Sequence, residues 1–257
     1  MRKLTTITLA LVFAYTSFTP MSAAVAKPAD VAAAVAATSD RSEDNVKLDE
    51  GRKPAEVLSF LGLKTGMQAI DMFGGNRYWV EIMAPAVGPK GYVTVWEPTQ
   101  FYNQEAADKF AAFQQKTPNT HLIVTPFEAL ALPTNAYDFM MINLNYHDVY
   151  WQSAKYGVVR MEPEAFLKTV YASMKPGGIV GVIDHVGNLG DTRETVEKFH
   201  RIDPAVVKAD FEKAGFKLDG ESDILRNPAD DHSLLVFNPQ IRGKTDRFIY
   251  KFRKPAS

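Results

Sequence analysis

The stretch Met67–Pro98 constrains the fold more than any other part of the chain, and its sequence is MQAIDMFGGNRYWVEIMAPAVGPKGYVTVWEP. It reads as a strand, a turn that contains Gly74 and Gly75, a helix, a short loop and a second strand that ends beside Glu97. In open parallel sheets this arrangement brings a glycine turn and a carboxylate to one edge, where nucleotide-type ligands bind. The sequence therefore predicts a parallel sheet with a cofactor site at the carboxyl ends of its strands.

Alternation of strands and helices extends this pattern along the chain. Helical stretches separate five apolar segments, which predicts βαβ units and a mostly parallel, doubly wound sheet. After residue 200, Asp203-Pro204 opens a helix that Gly215 closes, and strand-like segments then follow without helices, which predicts an antiparallel hairpin at one edge of the sheet. The predicted strands are Gln68–Met72, Tyr92–Trp96, His121–Thr125, Tyr137–Asn143, Gly178–Asp184, Phe216–Leu225, Ser233–Phe237 and Arg247–Phe252.

The first 26 residues are predicted to be a secretory signal rather than part of the fold. Arg2 and Lys3 precede the apolar run Leu4–Phe18, and the small residues Ala24-Val25-Ala26 form a cleavage site, so the mature chain is expected to begin at Lys27. The alternative is an uncleaved membrane anchor, but the run is shorter than the ~20 residues that span a bilayer. We therefore expect a soluble periplasmic protein with no stable membrane insertion after cleavage.

The remaining chain is predicted to be one domain preceded by a short linker. Residues 27–40 are rich in small side chains and indicate a linker or a weakly held helix. From Arg41 to Leu63 the pattern is helical, and Pro54 falls in the first turn of a second helix. Residues 41–257 are therefore expected to form a single α/β domain.

Composition excludes several classes of function. The chain has a net charge of −1, so nucleic acid and anionic membranes are not expected partners. It contains no cysteine, which excludes disulfides, thiolate metal sites and thiol nucleophiles. Neither the G-x-S-x-G elbow nor the G-x-x-x-x-G-K-[ST] phosphate loop occurs. The expected partner is a small-molecule substrate.

The candidate cofactor-binding residues follow successive predicted strands. Asp71, Gly74 and Gly75 lie at the junction between the first strand and the following helix. Glycine in the turn at this junction lets a ligand approach the backbone. Glu97, after the second strand, is placed to accept hydrogen bonds from both hydroxyls of a ribose. Glu128, after the third, is similarly placed to accept from an adenine amino group. Each is an ordinary solvated carboxylate when taken alone, and their joint occurrence indicates a site.

Histidine–aspartate pairs follow the fourth and fifth strands. Asn143, a further cofactor-binding candidate, begins the run NLNYHD that contains His147 and Asp148, and Asp184-His185 ends the fifth strand. Both pairs should stand on the same edge as Gly74, because the carboxyl ends of parallel strands meet there. Imidazole takes up a proton near neutral pH and a neighbouring carboxylate orients it, so these residues are candidates for proton transfer. The alternative is that each histidine caps a loop by hydrogen bonding.

The other three histidines have different expected roles. His200 and Arg201 lie in the loop before Asp203 and are placed to overhang the pocket, so His200 joins the catalytic candidates, while Asp203 before Pro204 is an ordinary helix N-cap. His121, within a strand, is expected to be structural. His232 is expected at the surface.

The types of side chain on this edge favour a metal site, but their spacing along the chain does not. His147, Asp148, Asp184 and His185 are metal-compatible ligands on one edge. However, neither His-x-x-x-His nor His-x-His spacing occurs. The sequence therefore predicts no metal site.

Most of the chain resembles the class I S-adenosylmethionine-dependent methyltransferases and, more narrowly, a group of exported bacterial proteins called predicted methyltransferases. The resemblance covers about Arg41–Pro255 and rests on an ordered set of segments: RKPAEVLSFLGLKTGM, APAVGPKG, NYHD, MKPGGIVGVIDH, HRID and AGFKL…LRNPADD…IRGKTDRFIYKFRKP. It implies a Rossmann-like fold of seven strands, mostly parallel with the last strands reversed. It also implies S-adenosylmethionine as cofactor, with Asp71, Gly74 and Gly75 at its methionine end, Glu97 at the ribose and Glu128 near the adenine.

The sequence departs from the wider family in the glycine turn. The family pattern is D/E-x-G-x-G-x-G, whereas Phe73, Asn76 and Arg77 here replace small residues. The leading hypothesis is a methyltransferase that acts on a small molecule or an exposed group, in which His147 or His185 deprotonates the acceptor. The alternatives are a periplasmic ligand-binding or accessory protein on a decayed methyltransferase scaffold, and a non-methylating enzyme that uses the His-Asp pairs. The segment 143–146 lacks the Pro-Pro of enzymes that methylate nucleic-acid amino groups, so DNA and RNA are not expected substrates.

Overall fold

A computed structural model describes residues 27–256. The predicted signal, residues 1–26, lies outside the described residues. The described chain contains seven strands in one sheet: β1 (Gln68–Met72), β2 (Tyr92–Pro98), β3 (Thr120–Thr125), β4 (Tyr137–Asn143), β5 (Met174–His185), β6 (Lys217–Ser222) and β7 (Arg247–Arg253). Its α-helices are α1 (Val31–Ala36), α2 (Glu43–Val46), α3 (Asp49–Arg52), α4 (Pro54–Leu61), α5 (Tyr78–Val87), α6 (Gln104–Lys116), α7 (Pro163–Ser173), α8 (Thr192–Phe199) and α9 (Pro204–Lys213). No helix in this range is both long and apolar enough to cross a membrane.

The strand order is β3-β2-β1-β4-β5-β7-β6. The first five strands in this order are parallel, and β7 runs antiparallel to both of its neighbours. Met72 at the end of β1 is in register with Trp96 of β2 and Ile142 of β4. The turns that leave these three strands are therefore neighbours at one edge, which we call the carboxyl rim.

Successive side chains of the central strands face opposite layers of the core, as the pleat of a strand requires. Ile70 and Met72 of β1 pack with Phe166 of α7 and Phe211 of α9. Ala69, next to Ile70 in β1, belongs to the opposite layer, whose members include α1, α4 and α5. Both layers are buried apolar clusters, so they fix the position of the strand ends that form the carboxyl rim.

Helix boundaries follow local sequence signals. Pro54 is the first residue of α4, as predicted, and Gly62 ends that helix in the left-handed region at φ 84°. Gly88, at φ 69°, follows α5. The segment predicted to be a linker or a weakly held helix includes α1, whose Val31 and Ala34 are buried.

The predicted α/β fold, with its mostly parallel sheet and antiparallel edge pair, is confirmed. Three strand predictions are wrong in detail, the first because β6 ends at Ser222 rather than Leu225. Residues 233–237 form no strand, and the Val236 N–H donates instead to the carbonyl of Phe199 at the end of α8. β5 begins at Met174 rather than Gly178, because the turn at Gly177 (φ 79°) is taken up as an irregularity in the pairing with β4.

Candidate functional site

The turn between β1 and α5 brings two carboxylates against its glycine backbone. The Gly75 N–H donates to Oε2 of Glu97 at 2.9 Å, and the Gly74 N–H donates to the Trp96 carbonyl at 3.2 Å. A Cβ added to Gly75 would lie 2.6 Å from Cδ of Glu97, and one added to Gly74 would lie 2.5 Å from Oδ2 of Asp71. Both distances are too short for a side chain, so glycine at these positions allows the carboxylates to line the turn.

Burial makes both carboxylates harder to ionise. It raises the pKa of Glu97 to about 7, although the hydrogen bond from Gly75 opposes the shift. Burial and then the nearby charge of Glu97 raise the pKa of Asp71 well above its ordinary value, and the positive charge of Arg52 opposes this. Paired carboxyl groups with raised pKa values in a buried turn are typical of a binding site.

Oδ2 of Asp71 and Nη1 of Arg52 are enclosed, and neither has a hydrogen-bond partner among the described residues. Buried polar atoms are nearly always paired in folded proteins, so each of these two atoms requires a partner from outside the described residues, such as a water or a ligand. An acceptor and a donor of opposite charge suit the ammonium and the carboxylate of an amino-acid group. The sequence does not point to Arg52, because this residue lies in α3, outside the strand–turn–helix pattern.

The three residues that depart from the glycine-rich pattern each have partners in the fold. The ring of Phe73 packs edge-on against Trp96 and Phe127, with centroids 4.9 and 5.4 Å away. Asn76 accepts the Tyr78 N–H at the start of α5. Arg77 precedes the same helix at φ 64°, and its Nε lies 3.4 Å from Oε1 of Glu81 in an ion pair without a hydrogen bond. These side chains thus support the turn structurally.

The other two candidates for cofactor binding are less enclosed. Glu128 is exposed on a short 3-10 turn after β3 and accepts a hydrogen bond from Nε2 of Gln100 at 2.8 Å. Asn143 is half-buried at the end of β4. Both lie on the carboxyl rim, as the sequence predicts.

His147 is held firmly by Asp184 at the ends of β4 and β5. Its Nδ1 donates to Oδ1 of Asp184 at 2.8 Å, and its backbone N–H donates to Oδ2 of the same carboxylate at 2.9 Å. His147 is 3% exposed and Asp184 is fully enclosed. The double contact fixes the imidazole plane and leaves Nε2 as its free nitrogen.

The two neighbouring histidines differ in charge. Burial alone would lower the pKa of His147, but the charges of Asp184 and Asp148 outweigh it and raise the pKa to about 9. Burial lowers the pKa of His185 to about 3, so its imidazole is neutral near pH 7. Nδ1 of His185 lies 2.7 Å from the hydroxyl of Thr245. The rings of the two histidines are 6.0 Å apart.

Asp148 and His200 complete a cluster around Nε2 of His147. Oδ1 of Asp148 lies 3.5 Å from this nitrogen and 3.9 Å from Nδ1 of His200. His200 caps the end of α8 in the left-handed region at φ 49°, and its ring contacts those of Trp151 and Phe237. The structure therefore brings together three of the four sequence-predicted catalytic candidates around one point, with His185 beside them.

Comparison with known proteins rests on structure alone. No protein-family model and no curated protein matches the sequence. An S-adenosylmethionine-dependent methyltransferase from Aquifex aeolicus matches with a TM-score of 0.57 at 19% identity, over 88% of this chain and 98% of that one. The chain has the class I methyltransferase fold.

Two further solved structures that resemble this methyltransferase fold have names that give different activities. Phosphoethanolamine N-methyltransferase 2 of Haemonchus contortus, in complex with S-adenosyl-L-methionine, matches with a TM-score of 0.54 at 15% identity over 80% of this chain and 52% of that one. The [4+2]-cyclase SpnF matches with a TM-score of 0.56 at 16% identity over 80% of this chain and 81% of that one. The methyltransferase fold is therefore compatible with more than one chemistry.

Several sequence-predicted residues of this methyltransferase fold have structural roles. Arg201 does not overhang the rim: it is fully buried, because its guanidinium pairs with Asp230 at 2.9 Å and donates to two backbone carbonyls. Asp203 caps α9 by accepting the Ala205 N–H, which confirms that prediction. His121 is exposed on β3. His232 lies between Asn188 and Asp246.

Two cavities in the methyltransferase fold lie away from the rim cluster. One, of about 620 Å³, is lined by Tyr150, Arg193 and Asp210 among others, and one of about 1220 Å³ lies over α1, α5 and α6. Neither is lined by Glu97 or His147. Both of these residues are buried, so a ligand that reaches them must displace the side chains that cover the carboxyl rim.

Proposed function

We propose that this protein is an S-adenosylmethionine-dependent methyltransferase that acts on a small molecule. One observation carries the proposal: on a methyltransferase fold, the turn after β1 holds two buried carboxyl groups, and Oδ2 of Asp71 and Nη1 of Arg52 are left without partners among the described residues. These groups match the chemistry of S-adenosylmethionine, which joins a charged amino-acid end to a ribose and an adenine. The cofactor supplies an electrophilic methyl group.

Each part of the rim has a role in this proposal. Asp71 and Arg52 hold the ammonium and carboxylate of the methionine end. The Glu97 carboxylate accepts hydrogen bonds from the ribose hydroxyls, and Gly74 and Gly75 allow the carboxylates of Asp71 and Glu97 to lie against the turn that meets the cofactor. On the same rim, Glu128 and Asn143 face the remaining parts of the cofactor.

The histidine cluster lies beside this site, because β4 is the neighbour of β1 and β5 is the neighbour of β4. Methyl transfer depends mainly on bringing donor and acceptor into line. His147, Asp148, His185 and His200 are therefore proposed to bind and orient the acceptor. The pKa of His147 is raised to about 9, so near pH 7 this residue donates a proton rather than accepts one. Burial of the cluster also excludes water from the reacting groups.

We further propose that the protein works in the periplasm after removal of residues 1–26. The signal pattern before Lys27 and the resemblance to exported proteins support this proposal. Intact-mass measurement of the chain purified from the periplasmic fraction of a producing bacterium is expected to give a chain that begins at Lys27. Recovery of the full-length chain from the cytoplasm or the membrane would contradict export.

Calorimetric titration with S-adenosylmethionine and with its demethylated product tests the function. We expect micromolar binding that is abolished in Glu97→Gln, which removes the charge and keeps the shape. The matched control is Glu105→Gln, because Glu105 is an exposed carboxylate on α6. Absence of binding at millimolar cofactor would contradict the proposal.

Two other functions give different outcomes in the same titration. A decayed scaffold predicts no binding by the natural chain and new binding in the double variant Phe73→Gly, Arg77→Gly; the structural partners of both side chains argue against it. A non-methylating enzyme, the class to which the [4+2]-cyclase SpnF belongs by its name, predicts cofactor binding without methyl transfer to any acceptor. Mass spectrometry of products after incubation with methyl-labelled cofactor separates this case from the proposed function.

A further inference from the structure

The structure assigns a binding site for one divalent transition-metal ion to His147, Asp148 and His200 on the carboxyl rim. One ligand atom from each of these side chains, an imidazole nitrogen or a carboxylate oxygen, lies within 4.8 Å of the other two. The residues come from two separate parts of the chain, the turn after β4 and the end of α8. This separation explains why no metal-ligand spacing is visible along the chain.

The distances are close to those of a loaded site. Two imidazole nitrogens and a carboxylate oxygen at ~2.1 Å from a tetrahedral ion lie roughly 3.4 Å from one another. Here Oδ1 of Asp148 is 3.5 Å from Nε2 of His147 and 3.9 Å from Nδ1 of His200. Side-chain rotations that move these atoms by about 1 Å therefore bring all three to bonding positions around one ion.

Hydrogen bonds already orient two of the three ligands. Asp184 holds Nδ1 of His147, which directs Nε2 toward the centre of the cluster. Nδ2 of Asn145 donates to Oδ2 of Asp148 at 2.9 Å, which leaves Oδ1 for the ion. A carboxylate behind a ligating histidine and a donor behind a ligating carboxylate are the usual outer partners of protein metal sites.

The charge of the cluster also suits a cation. Asp148 and Asp184 are both buried, and among the described residues their only ion-pair partners are histidines. Buried carboxylates are normally compensated by a cation, and a dication bound here would replace the proton on Nε2 of His147 and compensate both. Ion binding at this cluster does not depend on the proposed methyl transfer, because it requires only the three ligands and their partners.

Ligand chemistry narrows the class of ion. Two imidazoles and one carboxylate are the ligands of Zn²⁺ and of non-haem Fe²⁺ sites, whereas Mg²⁺ and Ca²⁺ prefer oxygen ligands. Three protein ligands leave at least one position open on the ion. An oxygen of a second ligand bound there becomes polarised, so the site would act as a Lewis acid.

Titration of the tag-free chain with Co²⁺, after removal of metals by a chelator, tests the inference. We expect visible ligand-field bands that saturate at one equivalent and disappear on addition of Zn²⁺. Asp184→Asn is expected to weaken binding about 10–100-fold, as loss of an outer partner does. His147→Gln and His200→Gln are expected to weaken it further, and His121→Gln, at an exposed position on β3, should leave it unchanged.

A measurement on the natural chain removes any dependence on the folding of variants. The chain has five histidines. Imidazole nitrogen resonances are expected to shift for His147 and His200 alone, in proportion to added Zn²⁺ up to one equivalent. Absence of saturable Co²⁺ bands, full retention of affinity in His200→Gln, or shifts confined to other histidines would overturn the assignment.

Discussion

The Glu97 carboxylate accepts the Gly75 N–H at 2.9 Å, so the end of β2 is joined directly to the turn that leaves β1. The contact places a buried acid against a part of the backbone that has no room for a side chain. Its consequences for cofactor binding are measurable because the pKa of Glu97 is raised to about 7.

Cofactor affinity is expected to depend on pH through Glu97. Ribose hydroxyls donate to the ionised carboxylate, so binding favours the charged form and the affinity should fall about tenfold per pH unit below pH 7. Above pH 7 this dependence should vanish. Asp71 and the positively charged Arg52 face the same turn. The pKa of Asp71 is also raised, so its protonation lowers the cofactor affinity further as the pH falls. Calorimetry at pH 6 in buffers of different ionisation enthalpy should show proton release, and a pH-independent Kd from about pH 5.5 to 8 would contradict this.

Gly75→Ala is expected to remove cofactor binding with little loss of stability. The new Cβ would lie 2.6 Å from Cδ of Glu97, and a flexible carboxylate moves away more readily than backbone does. We therefore expect a destabilisation of about 1 kcal/mol, at the lower end of the cost of overpacking, together with loss of binding. Urea unfolding and calorimetry measure the two effects. The control is Gly190→Ala, whose Cβ would make an ordinary 3.7 Å contact with Thr195; equal effects in both variants would contradict the explanation.

Arg52→Met is expected to weaken binding of S-adenosylmethionine by at least about tenfold, because a charge-assisted hydrogen bond contributes roughly 1.5–3 kcal/mol. Affinity for 5′-methylthioadenosine, which lacks the amino-acid end, should not change. Parallel titrations with the two ligands separate this role from a general effect on folding. A similar loss for both ligands would remove Arg52 from the methionine end.

Arg201→Met is expected to destabilise the fold by about 3–5 kcal/mol, since it leaves the buried Asp230 carboxylate without its cation. Arg160→Met, at an exposed arginine paired with Glu162, should change the free energy of unfolding by less than about 0.5 kcal/mol. Urea denaturation at pH 7 measures both. The double variant Arg201→Met, Asp230→Asn should recover part of the loss, and no recovery would show that packing rather than charge holds Arg201.

The sequence was sufficient to predict the mostly parallel sheet with its antiparallel edge, but not the contacts within the candidate site. The spacing of strand, glycine turn and helix around Asp71 and Glu97 is local, and the parallel order follows from it, so the position of the carboxyl rim could be predicted. The contact between Asp148 and His200 depends on how α8 packs against the turn after β4. Local sequence patterns do not predict that packing. The same limit applies to Arg52, which reaches the rim from a helix that precedes β1.

Errors in the sequence-based predictions have a common physical cause. Residues 233–237 are apolar enough for a strand, but their backbone is used to hold the loop against the end of α8. Arg201 looks like a surface residue in sequence, yet three of its donors find partners inside the fold. In both cases tertiary hydrogen bonds, which link distant parts of the chain, override the local tendency.

The position of β7 bears on how the chain is made. β7 lies between β5 and β6, and within residues 27–256 the edge strand β6 pairs with no other strand. β6 therefore cannot join the sheet until residues 247–253 have been synthesised, although its own residues come earlier in the chain. Until β7 is in place, β5 has a partner only in β4, and its other edge is an unpaired row of backbone groups that could pair with another chain.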